Sequence, residues 1–181
     1  MFIAGCAAIP PAAVAPSPAQ RNQVLVLDID GTLTPHNLYV LEVRPAAPQV
    51  VQAYADKGYT IVYLTTRLPL YQSMLPDWLA RQGFPAGPLH AAQSAAERED
   101  AATFKAGVLA RYRAAGWQLA YAYGDSASDF EAYSRAGLPP ERVFALKRRF
   151  AETCTAGLYR SCLEGWVEHL PFVEREVAKL Q

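Results

Sequence analysis

The stretch Val24-Leu25-Val26-Leu27-Asp28-Ile29-Asp30-Gly31-Thr32-Leu33-Thr34 opens as an apolar run and closes on two carboxylates. A Val- and Leu-rich run of this kind is the composition of a strand buried on both faces. Asp28 and Asp30 would share a side if the strand continued, because side chains alternate along it. Gly31 lets the backbone turn directly after them. Two like charges this close repel, and each is costly to take out of water. A cation between or beside them is therefore expected. A polar strand end with an Asp-Gly turn explains one aspartate well and two poorly.

Outward from that stretch the pattern repeats. Leu33–Pro45 reads as a loop, and Pro48–Lys57 as a helix with Val50, Val51 and Tyr54 on one face and Gly58 at its end. Thr60–Leu64 predicts a second buried strand, stopping at Thr65-Thr66-Arg67. A helix follows over Leu70–Gln82, then a short strand between Pro85 and His90. Thr103–Ala115 spaces Phe104, Val108, Leu109 and Tyr112 as a helical core face. Leu119–Tyr123 is a strand ending at Gly124-Asp125, and Phe130–Ala136 is a helix broken by Gly137-Leu138-Pro139-Pro140. Val143–Leu146 is a fifth strand, and Leu163–Leu180 one helix interrupted near Pro171. Alternating strands and helices predict a single α/β domain, a doubly wound parallel sheet of Rossmann-like type. Such sheets bind ligands beyond the carboxyl ends of their strands, where Asp28, Asp30, Thr65 and Asp125 all fall.

The chain has 181 residues, 51% of them hydrophobic and 19% charged, which is globular rather than disordered. Its net charge is zero, so no broad basic face advertises nucleic acid. No apolar run approaches the ~18 residues that span a bilayer.

Asp28-Ile29-Asp30-Gly31-Thr32 resembles the first motif of the haloacid dehalogenase superfamily, Asp-x-Asp-Gly-Thr. The resemblance implies Asp28 as nucleophile and Asp30 as general acid and base. It implies Thr65 as the second motif, bonding a phosphoryl oxygen, with Thr66 the weaker alternative. Lys105 would be the third, balancing charge on the nucleophile and the phosphate. Gly124-Asp125-Ser126-Ala127-Ser128-Asp129 would be the fourth. Mg²⁺ is the implied cofactor, held by Asp28, Asp125 and the Asp30 carbonyl, with Asp129 holding a water or supporting the other ligands. Asp129 could also cap the helix that follows it. Within the superfamily the chain is similar to the lipin-type phosphatidate phosphatase domain. That pattern runs through Asp28–Thr34, Thr65-Thr66-Arg67, Gly87-Pro88-Leu89, Phe104-Lys105 and Gly124–Asp129, with Thr65 replacing a Ser. Thr65, Thr66, Arg67 and Lys105 are then the substrate-binding set.

The spacing leaves no room for a large cap, so an open site is expected, admitting a lipid headgroup or another bulky phosphate ester. Leu70, Tyr71, Met74 and Trp78 could rim it, though helix core is the plainer reading of that spacing. The implied function is Mg²⁺-dependent phosphomonoester hydrolysis through an aspartyl-phosphate, on phosphatidate or another bulky ester. Two alternatives stand: a broad acid phosphatase on nucleotides or sugar phosphates, and a non-catalytic phospholipid-binding module.

Residues 1–20 read as a separate segment, leaving 21–181 as the domain. Met1–Cys6 resembles the end of a bacterial lipoprotein signal, which would place lipid on Cys6 and the protein at the cell envelope or periplasm. The charged start and longer apolar run of such signals are missing. Ala7–Gln20, with Pro10, Pro11, Pro16 and Pro18, reads as an extended tether; the other reading is a plain tail on a cytoplasmic protein. Cys154 and Cys162 would pair as a disulfide in an oxidising compartment and stay thiols otherwise.

Overall fold

The computed structural model describes residues 8–181. Cys6 lies outside the described residues. Among the described residues, nothing before Gln23 is helix or strand. That leading segment nevertheless touches the domain: Ser17 N–H donates to the Ala115 carbonyl (2.9 Å), and Trp117 Nε1 donates to the Ala15 carbonyl (2.8 Å).

The regular elements run β1 (Gln23–Asp28), α1 (Ala47–Asp56), β2 (Thr60–Thr65), α2 (Pro69–Gln72), α3 (Leu75–Arg81), β3 (Leu89–Ala91), α4 (Ala95–Glu99) and α5 (Ala101–Ala114). Then come β4 (Gln118–Gly124), α6 (Ala127–Arg135), β5 (Val143–Leu146), β6 (Ser161–Leu163) and α7 (Leu170–Glu176). Six parallel strands form one sheet in the order β3-β2-β1-β4-β5-β6, flanked by helices on both faces. The chain builds outward from β1 in one direction, then returns to build from β4 in the other. The crevice at the carboxyl ends of β1 and β4 is thus the topological switch point where α/β sheets place ligands.

Period-two alternation divides the core. Leu25 and Leu27 of β1 and Tyr121 and Tyr123 of β4 face α1 and α7. Val24, Val26 and Ala122 face α5 and α6. Asp28 and Gly124 continue the second parity, so the strand ends deliver them to the α5–α6 side.

Four sequence expectations need correction. The Leu70–Gln82 helix is two, α2 and α3, separated at Ser73-Met74. Pro76 at the start of α3 lacks an N–H and suits a first turn. The helix Ala95–Glu99 was missed, although Ser94 and Glu97 make a reciprocal capping box. The sixth strand, Ser161–Leu163, is too short for a periodicity to register. The last helix is only Leu170–Glu176, preceded by a 3-10 turn at Val167–His169.

Cys154 and Cys162 are bonded to each other, which ties the loop after β5 to β6. Two histidines are buried in the core. His169 Nε2 and the Tyr123 hydroxyl are 2.7 Å apart, and Tyr123 meets the Tyr54 hydroxyl at 2.8 Å. His90 Nε2 meets the Tyr112 hydroxyl at 2.9 Å. Burial, helped by Arg160 and Arg111 respectively, pushes both imidazoles down to about 4. A free imidazole titrates near 6.5. Between these values the unfolded chain binds more protons than the folded one, so stability falls as pH falls. Asp28 and Asp125, whose carboxyls burial holds above the usual range, act in the opposite sense over the same range, so the histidine contribution is read as a difference. Relative to a His90→Gln/His169→Gln variant, the wild type should lose melting temperature between about pH 6.5 and about pH 4; thermal melts of both proteins check it.

Candidate functional site

Asp28 meets α5 and α6 because of its parity on β1. Lys105 sits in the second turn of α5, on the same stripe as Val108, Leu109 and Tyr112, and is buried like them. Its Nζ donates to Asp28 Oδ1 at 2.6 Å and to Asp129 Oδ1 at 2.5 Å. Thr32 Oγ1 donates to the other Asp28 oxygen at 3.0 Å. Burial and then Asp129 push the Asp28 carboxyl well above the usual range, with Lys105 pulling against them. Burial lowers Lys105, but Asp129 and Asp28 outweigh it, and the ammonium is held above the ordinary lysine value.

Asp129 is fully buried. Ser126, rather than Asp129, caps α6: its Oγ accepts the Asp129 N–H, and Asp129 Oδ2 accepts the Ser126 N–H in return. Asp129 Oδ2 also accepts the Asp125 N–H (3.1 Å). Burial raises the Asp129 carboxyl, but Lys105 and these donors bring it below the usual value.

Asp30 turns away from this cluster. It accepts from Thr65 Oγ1 (2.8 Å) and, in a fork, from Arg67 Nε (3.0 Å) and Nη2 (2.6 Å). The Thr65 hydroxyl in turn accepts the Arg67 N–H at 2.9 Å. The single Thr65 proton is thus committed to Asp30 rather than open to the cleft. Beside Asp30 lies a cavity of about 400 Å³ whose lining includes Leu38, Thr66, Arg67, Leu68 and Tyr71. Trp78 belongs to the core instead, where its Nε1 donates to the Leu41 carbonyl at 2.8 Å.

Asp125 follows β4 and packs against the turn after β1. Gly31 has φ +94°, and a Cβ there would overlap the Asp125 carboxylate; a Cβ on Gly124 would overlap Asp129. Only glycine lets these carboxylate side chains pack so closely on the backbone. Asp125 Oδ2 accepts from Arg148 Nε. Burial and Asp129 push the Asp125 carboxyl up to about 6, against the opposing pull of Arg148.

The structure therefore gathers Asp28, Asp30, Thr65, Arg67, Lys105, Asp125 and Asp129 into one crevice, with Thr66 at its cavity. Cys154 and Cys162 take no part in this set of contacts. Ligand oxygens of Asp28, Asp125 and Asp129 lie within 4.8 Å of one another, a buried acidic cluster able to hold a cation. Four carboxylates face three cations, Arg67, Lys105 and Arg148, which leaves one negative charge unbalanced. Replacing Arg148 by a divalent ion would bring the count to balance. Arg148 is the cation best placed to leave, its side chain being 32% exposed against 3% for Lys105.

Sequence reasoning missed Arg148, Thr32, Ser126 and Arg44. Arg44 is buried and donates to the carbonyls of Gly31 (2.8 Å), Thr34 (3.1 Å) and Lys147 (2.7 Å), stapling the turn after β1 to the end of β5. The run Lys147-Arg148-Arg149 directly after a strand carried a usable signal for Arg148. Arg44, in a loop, carried none.

Solved structures with the same fold include one titled "Structure of the Pnkp1/Rnl/Hen1 RNA repair complex". It aligns with a TM-score of 0.59 over 83% of this chain and 48% of that one, at 14% identity. Another is titled "Structure of DsGPDH of Dunaliella salina", with a TM-score of 0.59 over 84% of this chain and 28% of that one, also at 14% identity. At that identity they speak to the fold alone. Among sequences, the chain is 31% identical over 134 residues to membrane-associated phosphatidylinositol transfer protein 3 of Mus musculus, covering 74% of this chain and 13% of that protein. It is 27% identical over 161 residues to membrane-associated phosphatidylinositol transfer protein 1 of Homo sapiens, covering 86% of this chain and 12% of that protein. The chain thus spans only about an eighth of these relatives' length. A family described as "PITM 1-3, LNS2 domain" matches residues 25–147, from β1 to just past β5 and across every carboxylate of the crevice. The chain belongs to this LNS2 domain family.

Proposed function

We propose that this domain is a Mg²⁺-dependent phosphomonoester hydrolase of haloacid dehalogenase type, acting on phosphatidate or a similarly bulky ester. The observation that carries the reading is the sorting of the two aspartates of Asp28-Ile29-Asp30. Asp28 is engaged by Lys105 and Thr32 inside the acidic cluster, while Asp30 is held by Thr65 and Arg67 beside the cavity. Two carboxylates in different surroundings are what a nucleophile and an acid–base partner require.

Asp28 attacks phosphorus, and the bond from phosphorus to the ester oxygen breaks. Asp30, a carboxylate while Thr65 and Arg67 donate to it, first takes up a proton as Arg67 moves to the incoming ligand, and gives that proton to the leaving alcohol. Asp30 then takes a proton from a water that attacks the aspartyl-phosphate, and Asp28 and inorganic phosphate are released. Lys105 balances charge on Asp28 throughout. Arg67 Nη1, buried without a partner among the described residues, has a donor that a ligand oxygen entering the cavity would satisfy. Asp28, Asp125 and Asp129 would hold the Mg²⁺, together with the Asp30 carbonyl. Bound there, the ion would supply Lewis-acid stabilisation of the phosphoryl oxygens. The acidic cluster and its unbalanced charge fit such an ion.

The competition at Asp125 gives a direct check. Arg148→Ala should bind Mg²⁺ more tightly than the wild type, by roughly tenfold, the weight of about one charge-assisted hydrogen bond. Titration calorimetry on the metal-free protein reads this without any turnover. Equal or weaker binding would remove Arg148 from the cation site.

The names of the relatives favour a second reading, a phospholipid-binding module without turnover. Its rival has the full set of carboxylates in its favour. A panel of phosphatidate vesicles, soluble phosphomonoesters and nucleotides, with Mg²⁺ and with chelator, separates the readings. Phosphatidate turnover that stops on chelation is expected. Faster turnover of soluble esters would point to the broad phosphatase. Lipid binding with no turnover of any ester would point to the binding module.

A further inference from the structure

Residues 8–22 precede the first strand, yet they follow one course over the domain. The Ala15 carbonyl accepts from Trp117 Nε1 (2.8 Å), the Ile9 carbonyl accepts from Gln93 Nε2 (3.0 Å), and the Ser17 N–H donates to the Ala115 carbonyl (2.9 Å). Between these points Val14 packs on the core cluster that includes Val108 and Tyr112 of α5, as do Phe104 and Trp117. Pro11 and Ala12 close a cavity of about 300 Å³ with Phe104 from the first turn of α5 and Arg111 from its last.

Both side-chain donors meet a carbonyl that precedes proline, in Ile9-Pro10 and Ala15-Pro16. Proline fixes its own backbone angle and confines the residue before it to extended forms. A proline, or the residue before one, occupies 9–11 and 15–18, so much of the segment is extended before it docks. Less freedom is then lost on docking. An extended proline-rich chain repeats every three residues and rises about 3.1 Å per residue. Ile9 and Ala15 are two repeats apart, so their carbonyls share a side and stand about 19 Å apart. The 14 residues of α5 span about 21 Å. The two donors, one beyond each end of this helix, thus match the register of the segment. Grooves lined by aromatic rings are a general means of reading such chains.

Connectivity selects the occupant. The Asn22 carbonyl accepts the Gln118 N–H (2.8 Å), where β1 joins β4, and Ser17 is bonded to Ala115. Only residues 18–21 separate these anchors, so the groove sees this segment at an effective concentration that a separate chain does not reach. The segment also has a direction. Ser17 meets Ala115 between α5 and β4, at the amino end of the sheet, and Ile9 meets Gln93, two residues past the carboxyl end of β3. The crevice opens at that carboxyl end.

We infer that the outer face of α5, with Gln93 and Trp117 beyond its ends, is a recognition groove for an extended proline-rich segment. Its occupant is Ile9–Ser17 of the same chain, clamped along the helix so that Ile9 is carried to the crevice end of the domain. The clamp does not depend on the hydrolase reading, and its test needs no turnover.

Hydrogen exchange followed by NMR on the full chain provides that test. Two variants open the clamp from opposite sides. Pro10→Gly/Pro16→Gly loosens the segment and leaves the groove intact; Gln93→Ala/Trp117→Phe removes both donors and leaves the segment intact. The wild-type Ser17 amide should exchange well below the rate of an unstructured peptide. In each variant it should exchange roughly tenfold faster or more. A spin label on Ala8→Cys, in a Cys6→Ser background, should broaden the Gln93 and Ser94 amide resonances, and the broadening should fade when the two prolines are replaced. Should the donor variant fold poorly, the proline variant decides alone. A Ser17 amide that exchanges freely in the wild type, or at the wild-type rate in the proline variant, overturns the inference. So does light scattering that finds wild-type dimers which the variants lack, since the groove would then hold the segment of a second copy.

Discussion

Asp28→Asn is expected to silence phosphate-ester turnover by at least about 10⁴-fold, the scale on which removing a nucleophile acts. The amide has the shape of the carboxylate and can still accept from Lys105 Nζ, which keeps Asp129 as its second partner. No oxygen of sufficient nucleophilicity remains at the end of β1 to attack phosphorus. The fold should not suffer. Burial and Asp129 already hold the Asp28 carboxyl far above its usual range, so its charge is a cost to the metal-free protein. Metal-free Asp28→Asn should therefore melt no lower than the wild type, while steady-state assays find no product. Turnover within about tenfold of wild type would remove Asp28 from the chemistry.

Lys105→Met carries the second large effect, and on stability as much as on rate. The ammonium is the cation joining Asp28 to Asp129, and all three groups are buried. A methionine of similar length fills the space beside Val108 and Leu109 but leaves two buried carboxylates without that partner. Removing one member of a buried charge pair costs about 3–5 kcal/mol. Chemical denaturation of the metal-free variant should show a loss of this size. Added Mg²⁺ should then raise the melting temperature of the variant more than that of the wild type, since the ion supplies charge the lysine no longer does. A variant as stable as wild type without metal would mean that the crevice does not depend on Lys105 for its charge balance.

Much of this arrangement was legible in the sequence, and the reasons are local. The run Val24–Leu27 could be read as doubly buried because both parities are apolar, and the structure buries both. Placing Asp28, Thr65 and Asp125 at one edge needed only the rule that parallel strands end on the same side. Lys105 was legible through the resemblance, as the only lysine between Lys57 and Lys147 on a helix whose other face is apolar; its burial on the stripe of Val108, Leu109 and Tyr112 was not. What stayed hidden depends on contacts distant in sequence. Arg44 earns its place from carbonyls on two loops, which no local pattern records. Asp30 shares a strand parity with Asp28, yet the turn at Gly31 rotates the chain and sends it to Thr65 and Arg67. The pairing of Ser161–Leu163 beside β5 is visible only once β5 is in place.

The most direct measurement is to trap the phosphorylated protein during turnover with Mg²⁺, reduce the acyl phosphate with borohydride, and locate the modified residue by mass spectrometry. Modification at Asp28, absent from Asp28→Asn and abolished by chelator, is the expected result. Turnover that proceeds with Asp28 unmodified, or with the phosphoryl group on any other residue, would contradict it.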